Sequence, residues 1–155
     1  MCMTRWLAPD EQRAWRSYLD ATRLLMQTLD RQLVRDSGIS FTDFELLVVL
    51  SEAPDRQMRM RALADAASTT RSGVTRAITR LVDAGWVIRV ECEDDRRGML
   101  AELTDAGMTK LEESSPGHVE AVRQSMFDVL SDDDVDTFGR VYSAMRTHIQ
   151  TAADA

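Results

Sequence analysis

The sequence predicts a mainly α-helical fold with a small β-wing, a winged helix-turn-helix flanked by helices at both chain ends. Three observations predict it. Between Leu63 and Gly107, a short helical stretch, a tight turn and a second helical stretch precede two strand-like segments around a charged tip. In the second helical stretch, Val74, Ala77, Ile78, Leu81 and Val82 recur at helical spacing, and Ser72, Thr75, Arg76 and Thr79 fall on the opposite side. Towards both chain ends, apolar residues repeat three and four apart, as in packed helix bundles.

The first helix is expected from about Pro9 to Asp36. Proline suits a first helical turn, Asp10 and Glu11 suit its positive end, and Gly38 suits the stop. Trp15, Leu19, Met26, Leu29 and Leu33 form one apolar stripe, and Ala14, Tyr18, Ala21 and Leu25 form an adjoining one, so this helix packs against more than one neighbour. Thr42 and Glu45 have capping-box spacing and open a second helix to about Ser51, which Pro54 stops. A third helix is expected over Arg61–Ala67. Thr70 is the expected cap of the fourth, with Arg71 at its first position and Gly85 at its end.

Trp86–Cys92 alternates as a strand, Glu93–Gly98 reads as the turn at the tip, and Met99–Leu103 as the return strand. Thr104 caps the next helix, which Ser115-Pro116-Gly117 is expected to kink or interrupt. Val119, Val122, Met126 and Val129 then make one seam. Ser131 caps a last helix whose seam is Val135, Phe138, Tyr142, Met145 and Ile149.

A chain of 155 residues with 44% hydrophobic content can bury a core. No apolar run is long enough to span a bilayer and the amino terminus has no apolar secretory core, so a cytoplasmic protein is expected. The net charge of −7 is unevenly spread: Arg56 to Arg97 contains nine arginines and six acids, +3 locally, which leaves −10 elsewhere. A basic module on an acidic frame suits a polyanion on one face only. Cys2 and Cys92 form no C-x-x-C and have no histidine cluster, so neither a metal site nor a cofactor is expected. There is no nucleophile motif, metal-ligand spacing or phosphate-binding glycine loop, which points away from an enzyme.

The run ITRLVDAGWV, the Asp95-Arg96-Arg97 tip and the Leu103-Thr104-Asp105-Ala106-Gly107 exit, at this spacing, resemble the MarR family of bacterial transcriptional regulators over about Trp6 to Ile149. The resemblance implies a dimerisation region made of the N- and C-terminal helices. It divides the chain into a dimerisation helix (1–38), a winged helix-turn-helix (39–107) and C-terminal dimerisation helices (108–155). It implies a homodimer that binds double-stranded DNA, most readily a repressor on a palindrome with half-sites about one helical turn apart. In the family, Ser or Thr usually stands where Arg61 stands, and Gly often where Ser68 stands.

The DNA-binding residues expected are Arg71, Ser72, Thr75, Arg76, Thr79, Arg80, Asp95, Arg96 and Arg97. Ser72, Thr75 and Arg76 are expected at base edges, Arg76 towards guanine or a phosphate. Arg71 and Arg80 are expected at the DNA backbone. Arg97 is expected in the minor groove, with Arg96 able to replace it and Asp95 orienting an arginine. The resemblance also implies a small phenolic or anionic effector in a cleft beside the dimer helices. Trp15, Leu19, Phe44, Val48, His118 and Met126 are the candidates to line it, and core packing is the competing reading of each. Two alternatives stand beside this: a winged-helix protein-interaction module without specific DNA binding, and a redox-responsive regulator acting through Cys2 or Cys92, which needs a lowered thiol pKa and access.

Overall fold

The computed structural model describes residues 4–67, 69–92 and 95–153, with the backbone alone at 92, 95–97 and 153. The chain forms two compact units, Met1–His118 and Val119–Ala155. Its elements are α1 (Pro9–Ser37), α2 (Phe41–Glu52), β1 (Gln57–Arg59), α3 (Met60–Ala66), α4 (Arg71–Asp83), β2 (Val87–Cys92), β3 (Asp95–Leu103), α5 (Asp105–Ser125) and α6 (Asp132–Ala153). Single 3-10 turns lie at Pro54–Arg56 and Phe127–Val129. Among the described residues no helix is long and apolar enough to cross a membrane.

In α1 the Glu11 carboxylate accepts from the Ala8 N–H at 2.7 Å, and Gly38 closes the helix in the left-handed region, φ 68°, its N–H on the Val34 carbonyl. The cap of α2 differs from the Thr42–Glu45 expectation: it is Ser40, whose hydroxyl accepts from the Asp43 N–H at 3.1 Å. The Asp30 carboxylate on α1 takes the Phe41 N–H at 2.8 Å, so the free N–H groups of this helix end are served from Ser40 and from α1. Thr42 lies two residues too late to do so. Helix α3 likewise starts earlier than expected, at Met60, after Arg59, which makes no side-chain cap.

The three strands form one antiparallel sheet in the order β1-β3-β2, with Gln57 opposite Glu102 and Val87 opposite Leu103. The second strand begins at Val87, not Trp86, and buries Val87 while Ile88 faces out. The wing departs from a simple hairpin. Glu91 pairs with Met99, but the next residue, Cys92, pairs with Asp95, so 96–98 form a bulge inside β3 where a longer turn was expected.

The core of the first unit joins Leu33 of α1, Phe44, Leu46, Leu47 and Leu50 of α2, Leu63 of α3, the inner face of α4, and Val87, Ala101 and Leu103 of the sheet. Leu111 of α5 completes it. The Leu103–Gly107 motif has a packing reason. Thr104 donates its hydroxyl to the Gly85 carbonyl (2.8 Å), accepts from the Gly107 N–H (3.0 Å), and gives its own N–H to the Trp86 carbonyl (3.0 Å). A Cβ on Gly107 would lie 2.1 Å from that Trp86 oxygen, so only glycine fits.

Pro116 does not interrupt α5, which runs unbroken from Asp105 to Ser125. The carbonyl it leaves without a helical donor belongs to Glu112, an exposed residue, where solvent can take the place of the missing N–H. In the second unit, Ser131 and Asp134 cap each other reciprocally: the Asp134 carboxylate accepts from the Ser131 N–H at 3.0 Å and the Ser131 hydroxyl from the Asp134 N–H at 3.3 Å. These bonds from Ser131 hold the Asp134 carboxyl below its ordinary pKa.

Candidate nucleic-acid interface

Helix α4 is built to show one face. Thr70 caps it, its hydroxyl accepting from the Gly73 N–H at 3.1 Å. A Cβ at Gly73 would lie 2.7 Å from the Thr69 hydroxyl and 3.2 Å from the capping Thr70 hydroxyl. Val74, Ala77, Ile78 and Leu81 are buried, which leaves Arg71, Ser72, Thr75, Arg76, Thr79 and Arg80 on the exposed side.

The hydrogen bonds sort those six. Thr75 donates its hydroxyl to the Arg71 carbonyl and Thr79 to the Thr75 carbonyl, both at 3.0 Å. Their hydroxyl protons are spent on the helix, so towards a ligand they offer oxygen lone pairs and methyl groups. The Ser72 hydroxyl lies 3.2 Å from that of Thr70. Arg71 reaches Asp65 of α3 at 3.5 Å. Arg80 is held by Asp43 of α2, and this hydrogen-bonded carboxylate raises its pKa further. Arg76, exposed in the middle of the face, makes no hydrogen bond or ion pair among the described residues.

One residue that sequence reasoning missed joins this surface. Arg89 of β2 donates to the Thr79 hydroxyl at 2.9 Å, tying the wing to α4. A lone cation on a strand has no motif; only its register against Thr79 reveals it. At the other edge, Met60, Arg61, Ala64, Arg71, Val74 and Thr75 line a hollow of about 290 Å³ between α3 and α4. The side chains of Asp95, Arg96, Arg97 and Cys92 lie outside the described residues, as do Cys2, Ser68, Glu93 and Asp94. The backbone puts Arg96 and Arg97 in the wing bulge.

The chain matches the family model described as MarR family over residues 37–98. It is 43% identical to Sco3205 of Streptomyces coelicolor, a MarR family transcriptional regulator crystallised with DNA. That match covers 97% of this chain and 94% of Sco3205, with a TM-score of 0.89. The chain belongs to the MarR family. A second MarR family regulator of S. coelicolor, AbsC, is 37% identical over 96% of this chain and 99% of its own, with a TM-score of 0.85. A transcriptional repressor of Bacillus subtilis, YetL, is 30% identical over 101 residues, 65% of this chain. The match spans 60% of YetL, and matches to MprA repressors of Escherichia coli span 48% of theirs.

For a MarR family chain the effector candidates are the other point of interest, and the structure separates them. Phe44 and His118 come together, ring centroids 4.5 Å apart, and Phe41 joins them at 5.9 Å. Burial pushes the His118 pKa below its ordinary 6.5 and leaves its Nδ1 without a partner among the described residues. Val48 packs half-buried against the core. Trp15 and Leu19 stand elsewhere: with Trp6, Leu7, Gln12 and Arg16 they line a hollow of about 590 Å³. Asp30 marks the level of Phe41 on α1. Leu19 precedes it by three helical turns, about 16 Å. Met126 belongs to the second unit, at the break between α5 and the 3-10 turn.

Proposed function

We propose that this MarR-family chain is a cytoplasmic, homodimeric repressor that reads a palindromic operator with α4 and the wing. The observation that carries this is the exposed face of α4. Arg76 stands there exposed, without a partner among the described residues and flanked by small hydroxyl residues, on a helix whose other face is locked in the core. A guanidinium in that setting suits a bidentate bond to guanine O6 and N7 in the major groove. The likeness to Sco3205, over nearly the whole of both chains, supports the same reading. Arg97, in the bulge of the wing, is assigned to the adjacent minor groove.

Two-fold pairing is supported by apolar side chains left uncovered in the single chain. Trp6, Trp15 and Leu19 near the start of α1, and Phe138, Met145 and Ile149 of α6, are all exposed. The effector reading narrows to Phe41, Phe44 and His118, where aromatic faces and one ring nitrogen without a partner among the described residues suit a small phenol or carboxylate. Such a ligand acts by favouring a dimer whose probe helices no longer match successive grooves.

The test is binding of Arg76→Ala and Arg97→Ala to the DNA upstream of the chain's own gene. Arg76→Ala is expected to lose about 1–3 kcal/mol of discrimination at one base position. Arg97→Ala is expected to weaken binding with dimer formation intact. Wild-type affinity and selectivity in both variants contradicts the assigned surface.

A further inference from the structure

Asp43 is a carboxylate only 7% exposed, on the first turn of α2. Ionised groups are buried at a cost that only close pairing offsets. Its partner is Arg80 of α4: Nη2 donates to Oδ1 at 2.7 Å and Nε donates to Oδ2 at 3.3 Å, a two-pronged bond that fixes direction as well as distance. The Arg80 side chain is itself half-exposed. The same turn of α2 is anchored on two more elements, to α1 through the Phe41 N–H on Asp30, and to α5 through the Phe41 and Phe44 rings against His118.

We infer that Asp43 and Arg80 are positioning residues for DNA reading, a strut from the anchored turn of α2 that sets the rotation of α4 and hence where Arg76 meets a duplex. The inference rests on the DNA-reading function proposed above. Arg76 and Arg80 are four residues apart, neighbours on one helix face. Left alone, Arg80 is a second free cation beside Arg76, available to any phosphate whatever the sequence. Paired, it carries no net charge to a phosphate. Asp43 therefore orients the reading face and removes a sequence-blind contact from it.

Salt dependence separates this role from a phosphate contact, because each phosphate neutralised by a cation steepens the plot of log K against log salt by about 0.9. The experiment uses the full chain and two duplexes, the DNA upstream of its own gene and a scrambled version, titrated across a salt series by fluorescence anisotropy. Arg80→Met is expected to leave the slope on the scrambled duplex unchanged and to cut the preference for the upstream DNA about tenfold. Asp43→Leu, which frees Arg80, is expected to steepen the scrambled-duplex slope by about 0.9 and also to lower the preference. The double variant is expected to restore the wild-type slope with the preference still reduced.

A merely structural role lowers the active fraction and the melting temperature but does not move the slope. A slope about 0.9 shallower in Arg80→Met, or an unchanged slope and preference in Asp43→Leu, overturns the inference. Should Asp43→Leu not fold, Arg80→Met decides alone, since that side chain reaches solvent. A wild type that binds neither duplex overturns the DNA-reading function itself, an outcome distinct from either slope result.

Discussion

In α4, Val74, Ala77, Ile78 and Leu81 recur at helical spacing and each is at most 1% exposed. In α6, Val135, Phe138, Met145 and Ile149 recur at the same spacing and are 37, 38, 43 and 62% exposed. The two patterns are alike in sequence, and the difference is in what meets them. Helix α4 is covered by α2, α3 and the sheet of its own chain, so its outer face is held rigidly for use. The apolar face of α6 is left open in the single chain. Periodicity states that a face needs covering; it does not state which chain covers it.

The sharpest way to break this comparison is to overfill the closed region. Gly107→Ala puts a Cβ 2.1 Å from the Trp86 carbonyl oxygen, a backbone atom that cannot swing aside. We expect a loss of about 3 kcal/mol, at the upper end for overpacking and independent of protein concentration, read by urea denaturation. An unchanged midpoint contradicts the packing described at the base of the wing.

The open region is tested by charge. Met145→Glu is expected to leave the winged unit folded, with helical circular dichroism kept, while light scattering shows the dimer dissociating. A dimer of undiminished affinity means that α6 is not what pairs. Gly139→Ala gives a smaller effect of opposite sign: nothing lies within 4 Å of its added Cβ, so the helix gains up to about 1 kcal/mol. A destabilised dimer shows instead that a partner backbone closes over position 139.

The smallest expected effect concerns His118. Its folded-state pKa is lowered by burial from the ordinary 6.5, so as pH falls the unfolded chain takes up the proton first. The contribution is fully present above about pH 6.5 and is lost as pH falls from there to the folded value. His118→Phe is expected to remove this part of the melting profile. A profile unchanged by that substitution means that His118 is as accessible to protons folded as unfolded.

The fold was legible in the sequence wherever the cause is local. Thr70, Gly38 and Gly85 mark helix ends through their own backbone chemistry, and the apolar face of α4 is a strict helical repeat. Where the cause is distant, the local sequence does not carry it. The start of α2 is set partly by Asp30, eleven residues upstream, so Thr42 was a plausible but wrong cap. The bulge in the wing is set by pairing across β2 and β3, which no run of residues announces. Pro116 suggested a break because its missing hydrogen bond is visible in sequence, whereas the exposure of Glu112 is not.

The candidate site divides in the same way. The outward face of α4 was readable from residue type and spacing. That Arg80 is held by Asp43, and Thr79 by Arg89, depends on partners 37 and 10 residues away. Helix position alone carries no depth along α1, so it groups Trp15 and Leu19 with Phe44 and His118, which the structure places apart from them.

The most direct test of the central claim is the ratio of affinities for the upstream duplex and its scrambled version, compared between wild type and Arg76→Ala at one salt concentration. A clear preference is expected in the wild type, falling by a factor of about five to 150 in the variant, the equivalent of about 1–3 kcal/mol. A wild-type preference that Arg76→Ala leaves unchanged contradicts the claim.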